Sequence, residues 1–115
     1  MTKEHILLEG KYSCPVEATM DVIGGKWKTL IIHHLLQDMK RFGKLKRLIP
    51  QITQRMLTSQ LRQLEQHGIV HRKVYAEVPP KVEYSLTKFG RTLEPALDVM
   101  HSWGNTFIKR ENNAH

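Results

Sequence analysis

The stretch Thr53 to His67, TQRMLTSQLRQLEQH, collects Gln54, Arg55, Thr58, Ser59, Arg62 and Gln66 on one side of a helix. Met56, Leu57, Leu61 and Leu64 fall on the other side. The polar side has no acidic residue in its first two turns, Glu65 coming only near the end. Amides, hydroxyls and guanidiniums arranged this way can hydrogen-bond base edges and phosphates in a DNA groove, with Arg favoured at guanine and Gln at adenine. An ordinary amphipathic surface helix has the same pattern, and both readings stand on this segment alone. Thr53 is placed to cap the helix and Gly68 to end it.

Two other groups have reactive side chains. Cys14 is the only cysteine and precedes Pro15, a residue favoured at the first position of a helix. One reading makes Cys14 a small residue at a helix edge beside a subunit seam. The other makes it a sensor, because a helix N-terminus favours the thiolate that reacts with oxidants and electrophiles, with Glu17 opposing the effect. With no second cysteine, a sensor has three routes: an intersubunit Cys14 bridge, a mixed disulfide with a small thiol, or an alkylated adduct. A lone cysteine also fits a reducing compartment. His33 and His34 are adjacent on a helix and point in two directions, so no metal chelate is expected there. No Gly-rich phosphate loop, His-Glu-x-x-His string, cysteine pair or nucleophile–base set is present, so neither an enzyme nor a cofactor is expected.

The 115 residues suffice for one domain with a modest core, and 40% apolar with 25% charged residues is ordinary globular composition. The net charge of +7 and pI near 9.8 favour an anionic partner. The excess is concentrated: Lys26, Lys28, Lys40, Arg41, Lys44, Lys46 and Arg47 face one acid, Asp38, between residues 24 and 50. That clustering predicts a basic docking flank beside the polar helix. Apolar runs no longer than three residues predict neither a signal peptide nor a membrane span, hence a cytoplasmic protein with no membrane partner.

The elements that position these groups can be read in order. Residues 1–13 lack a period and read as a loose arm, leaving 14–115 as the domain. Val16, Met20 and Ile23 mark a first helix that stops at Gly24-Gly25, and Trp27, Leu30, Ile31 and Leu35 a second that ends near Asp38. A third, Phe42 to Leu48, turns Phe42, Leu45, Leu48 and Ile49 inward and Lys44, Lys46 and Arg47 outward, and Pro50 stops it. With the helix at 53–67 four residues later, this is a helix-turn-helix pattern. From Ile69 the period becomes two: Val70, Arg72 and Val74 alternate with His71, Lys73 and Tyr75, then Val82, Tyr84 and Leu86 with Glu83 and Ser85. Residues 69–86 therefore read as a two-stranded β-hairpin wing. From Thr87, a candidate N-cap, the helical period returns, with Pro95 expected to break or kink the helix near its middle. Leu93, Leu97, Met100, Trp103 and Phe107 give the 87–111 region more apolar surface than a domain with its own core needs, which predicts a dimer interface.

The predicted class is α+β, mainly α: a winged helix-turn-helix with terminal dimerisation helices. Gln54, Arg55, Thr58, Ser59 and Arg62 are the expected base readers. Phe42, Lys44 and Lys46 are expected near the phosphate backbone, although Phe42 suits the core better, and Lys81 and the weaker Lys73 are the wing's phosphate candidates.

Four strings in order, IGGKWKTLII (23–32), RFGKLKR (41–47), LRQLEQHGIV within and after the polar helix, and VPPKVEYSLTKFG (78–90), make the chain resemble the bacterial HxlR-type winged helix-turn-helix transcriptional regulators. The likeness spans about Cys14 to Trp103. It implies a cytoplasmic homodimer on palindromic or pseudo-palindromic operator DNA, commonly a repressor, with dimer contacts from the terminal helices. It also favours the sensor reading of Cys14, since several such regulators sense quinones, diamide or related species through a cysteine in this Cys-Pro context, and it leaves room for a small-molecule or oxidant effector. Where the family usually has an acid within RFGKLKR, this chain has Lys44. The competing expectation is a winged-helix module that binds protein or RNA without reading an operator.

Overall fold

A computed structural model describes residues 11–114, so residues 1–10 of the expected arm lie outside the described residues. The chain begins with α1 (Pro15–Ile23), whose Cys14 cap carbonyl accepts from the Glu17 N–H at 2.9 Å. Then come α2 (Lys28–Gln37), β1 (Lys40–Arg41), α3 (Phe42–Leu48) and α4 (Gln54–Gln66). α4 starts where the Thr53 hydroxyl accepts from the Met56 N–H at 3.0 Å. It ends at Gly68, whose φ of +74° is the left-handed conformation that glycine adopts without a Cβ penalty.

β2 (Val70–Tyr75) and β3 (Lys81–Leu86) form the expected hairpin, in antiparallel register Val70 to Leu86 through Tyr75 to Lys81. The sheet has a third strand that the sequence reading missed: β1 pairs with β3, giving the order β1-β3-β2. Two residues between two helices leave too short a stretch for any period to register.

Ile31, Ile32, Leu35, Leu45, Leu57, Leu61 and Leu64, with Ile23, Ile49, Ile52, Ile69 and Val70, form the buried core under the sheet residues Tyr84 and Leu86. Fixing α4 against this core fixes the direction of its polar side. Three apolar residues of the predicted helical and strand patterns turn outward instead of joining the core. Leu30 is 41% exposed, because α2 buries Ile31, Ile32 and Leu35 and so turns the preceding residue outward. Met56 is 40% exposed, because α4 buries Leu57, Leu61 and Leu64 at i, i+4 and i+7. Val74 is exposed near the hairpin end.

After β3 the Thr87 hydroxyl donates to the Gly68 carbonyl and accepts from the Gly90 N–H at 2.9 Å, joining the end of α4 to the C-terminal segment. Gly90 sits so close to β2's entry that a Cβ there would lie 2.2 Å from the Ile69 carbonyl oxygen. The expected mid-helix break does not occur. Gly90–Leu93 is a short 3-10 turn, and Pro95 falls in the first turn of α5 (Glu94–Asn113), where its missing N–H has no helical partner to lose.

Candidate nucleic-acid interface

α4 presents Gln54, Arg55, Thr58, Ser59 and Arg62 together with Gln63 and Gln66 along one open surface. All five predicted base readers are thus brought together, Thr58 half-buried and the rest exposed. Thr58 donates its hydroxyl proton to the Gln54 carbonyl at 2.9 Å, which leaves its oxygen as an acceptor toward a ligand. Ser59 accepts from the Gln63 amide at 3.3 Å. Among the described residues, neither Arg55 nor Arg62 has a carboxylate within salt-bridge distance, so both guanidiniums keep their donors for an acceptor outside the protein. Gln63 was missed because it sits at the edge of the helical stripe, between the polar and apolar sides.

The basic flank is smaller than the sequence suggested. Lys28 and Lys40 are buried, the latter ion-paired with Asp38, and Lys26 lies 4.7 Å over the Trp27 ring. Arg41, Lys44 and Arg47 remain on a groove at the start of α3, with Lys46 half-buried. Phe42 is half-buried against the core.

In the wing, Lys73 is exposed with its ammonium 4.8 Å over the Tyr75 ring. Lys81 is more constrained: its ammonium lies 4.6 Å over the same ring and 3.6 Å from the Glu83 carboxylate, which also accepts from the Tyr75 hydroxyl at 2.7 Å. The Tyr75 hydrogen bond, then the charges of Lys81 and Arg41, hold the Glu83 carboxyl below the usual carboxylate range although burial pushes the other way.

The predicted dimer residues divide. Leu93 and Leu97 are half-buried against the domain's own core, whereas Met100, Trp103 and Phe107 are exposed on α5, the last two stacked at 5.7 Å. Phe89, Val99 and Ile108 are exposed as well, as are Val16 and Met20 on α1. Cys14 is exposed at the start of α1, and Ser13 bonds both oxygens of the Glu17 carboxylate at 3.2 Å. The His33 and His34 rings meet edge-on at 5.3 Å; burial, then His33 and Lys40, lowers the His34 pKa. Among the described residues no cluster of three metal-ligating side chains occurs, and no helix is long and apolar enough to cross a membrane.

Comparison with known proteins agrees with this architecture. The family model described as HxlR-like helix-turn-helix matches residues 22–112. The chain is 59% identical over 97 residues to the HTH-type transcriptional regulator YdeP of Bacillus subtilis (strain 168), covering 84% of this chain and 76% of YdeP. Among solved structures, the redox regulator HypR in its oxidized form superposes with a TM-score of 0.77 at 62% identity, covering 81% of this chain and 96% of HypR. Its reduced form gives 0.83 at 57%, covering 87% and 99%. A winged helix-turn-helix with these matches over most of its length belongs to the HxlR-like helix-turn-helix family.

Proposed function

We propose that this protein is a cytoplasmic homodimeric transcriptional regulator that binds a palindromic or pseudo-palindromic operator, one α4 entering the major groove of each half-site. The observation that carries this reading is the exposed polar side of α4, where among the described residues neither Arg55 nor Arg62 has a carboxylate within salt-bridge distance. Gln54, Arg55, Thr58, Ser59 and Arg62 read bases, while Lys44, Lys46, Lys73 and the half-buried Lys81 meet phosphates, and Phe42, half-buried against the core, supports the start of α3. Occupying an operator with a dimer blocks access to the same duplex, so repression is the mode assigned. Met100, Trp103 and Phe107 join the two subunits.

Exposed Cys14 at a helix start, in a chain similar to a redox regulator, favours oxidant or electrophile control of DNA release through this thiol.

The test is competitive binding on duplexes selected from a random pool by the wild-type protein. Each bidentate contact discriminates against the wrong base by about 1–3 kcal/mol, so Arg55→Ala should lower the preference for the selected duplex over a scrambled one by roughly 5- to 150-fold. Weak binding without sequence preference by the wild-type protein would instead support a protein- or RNA-interaction module.

A further inference from the structure

A second, narrower crevice lies where α4 meets the sheet, lined by Thr58, Leu61, Arg62, Glu65, Arg72 and Tyr84. It shares Thr58 and Arg62 with the open side of α4, so the two surfaces are continuous. Arg72 is the new element. It pairs across β2 and β3 with Tyr84, so the two side chains share the sheet face toward α4, Tyr84 buried there and Arg72 exposed at the rim of the crevice. Among the described residues neither Arg62 nor Arg72 has a carboxylate within salt-bridge distance. The Arg72 guanidinium, with the charge of Arg62 and the Tyr84 hydroxyl beside it, outweighs the single Glu65 carboxylate, while Thr58 adds no donor because its proton goes to the Gln54 carbonyl. That is the composition of a pocket for a phosphate group, because planar guanidinium forks match phosphate oxygens in pairs.

We propose that this crevice seats one phosphodiester group of the bound DNA strand, making Arg72 a backbone contact that positions α4 in the groove. The assignment rests on the DNA-binding reading above. Continuity with the base-reading side favours a phosphate of the same duplex over a free anion. Glu65 limits the pocket's strength by opposing the phosphate charge.

The experiment measures affinity for the duplex selected by the wild-type protein as a function of NaCl concentration, for wild type, Arg72→Gln, Arg72→Lys and Glu65→Gln. Each phosphate contact contributes about 0.9 to the slope of log K against log salt, which at 0.15 M NaCl amounts to roughly fivefold in affinity per contact. Arg72→Gln should therefore lower the slope by about 0.9 per protomer and weaken binding about fivefold per protomer, with the ranking of base variants unchanged. Arg72→Lys should keep the slope and lose part of the affinity, and Glu65→Gln should bind more tightly than wild type. Thermal melting of each variant checks the fold, and Arg72 is exposed enough that its replacement should leave it intact.

A wild-type slope and affinity in Arg72→Gln would overturn the crevice assignment while leaving the DNA-binding reading standing. Absence of any selected duplex would remove that reading itself. Replacing chloride by inorganic phosphate at constant ionic strength separates the sources. Selective release of wild-type protein, abolished by Arg72→Gln, would make the pocket a free-anion site and overturn the phosphodiester assignment. Equal effects on both proteins support it.

Discussion

Replacing Trp103 by alanine should separate the subunits. A tryptophan buries up to about 250 Å² when fully covered. Trp103 is 67% exposed in the single subunit. Covering that remainder removes about 170 Å² from water, worth about 4 kcal/mol per subunit as an upper figure at ~25 cal/mol per Å². Ordering costs and incomplete coverage reduce this, and half of it, about 2 kcal/mol from each of two symmetry-related copies, still weakens association about 1000-fold. Loss of the stacked Phe107 contact adds to the effect. Sedimentation equilibrium of wild type and Trp103→Ala over a range of concentrations reads the dissociation constant directly, and circular dichroism establishes that α5 persists. A dissociation constant within threefold of wild type, with the helix intact, would refute the assignment of α5 as the joining surface.

Other perturbations have defined outcomes. Thr53→Ala removes the hydroxyl that caps α4 and should cost about 1 kcal/mol in urea unfolding, with an unchanged m-value. Glu83 has a depressed folded-state pKa, so its contribution is complete above the ordinary glutamate range near pH ~4.3 and is lost as pH falls through the lower folded value. Unfolding midpoints of Glu83→Gln should therefore lie below wild type at neutral pH and converge with it on acidification; a gap that persists at the acid end would contradict this. Cys14→Ser should keep DNA affinity and lose release by diamide or quinone, and release equal to wild type would exclude Cys14 as the sensor.

Much of the fold was legible in the chain because its helices carry strong stripes and clear stops. The α4 boundaries followed from Thr53 and Gly68, and the hairpin from the period-two runs on either side of Ala76 to Lys81. What was hidden depended on three-dimensional packing. Leu30 and Met56 sit one position off the buried stripe, and only the angle at which each helix docks decides which neighbour goes inside. Lys28 and Lys40 count toward net charge in the sequence yet are buried in the fold, Lys40 through its pairing with Asp38.

The candidate interface was legible for the same reason as α4: one helix, one face, no acids in its first turns. Its less visible members come from elsewhere. Arg72 stands between Val70 and Val74 in the alternating strand, and that charge in an otherwise apolar set was the available signal, though its place beside Arg62 required the packing of β2 against α4. Lys81 looked like a free cation because neither the Tyr75 ring nor the Glu83 carboxylate that holds it is adjacent in sequence. The residues predicted for a dimer interface divided because Leu93 and Leu97 fall where the chain still lies on its own core, whereas Met100, Trp103 and Phe107 are exposed on α5.

Two copies of the α4 face are proposed to read one duplex. Selecting bound duplexes from a random pool with purified wild-type protein at ~0.15 M salt, then sequencing them, tests it most directly. An enriched inverted repeat is expected, its half-sites centred one helical turn of about 10 bp, or a multiple of it, apart. A pool that emerges as random as it entered, or an enriched single site without symmetry, would contradict it.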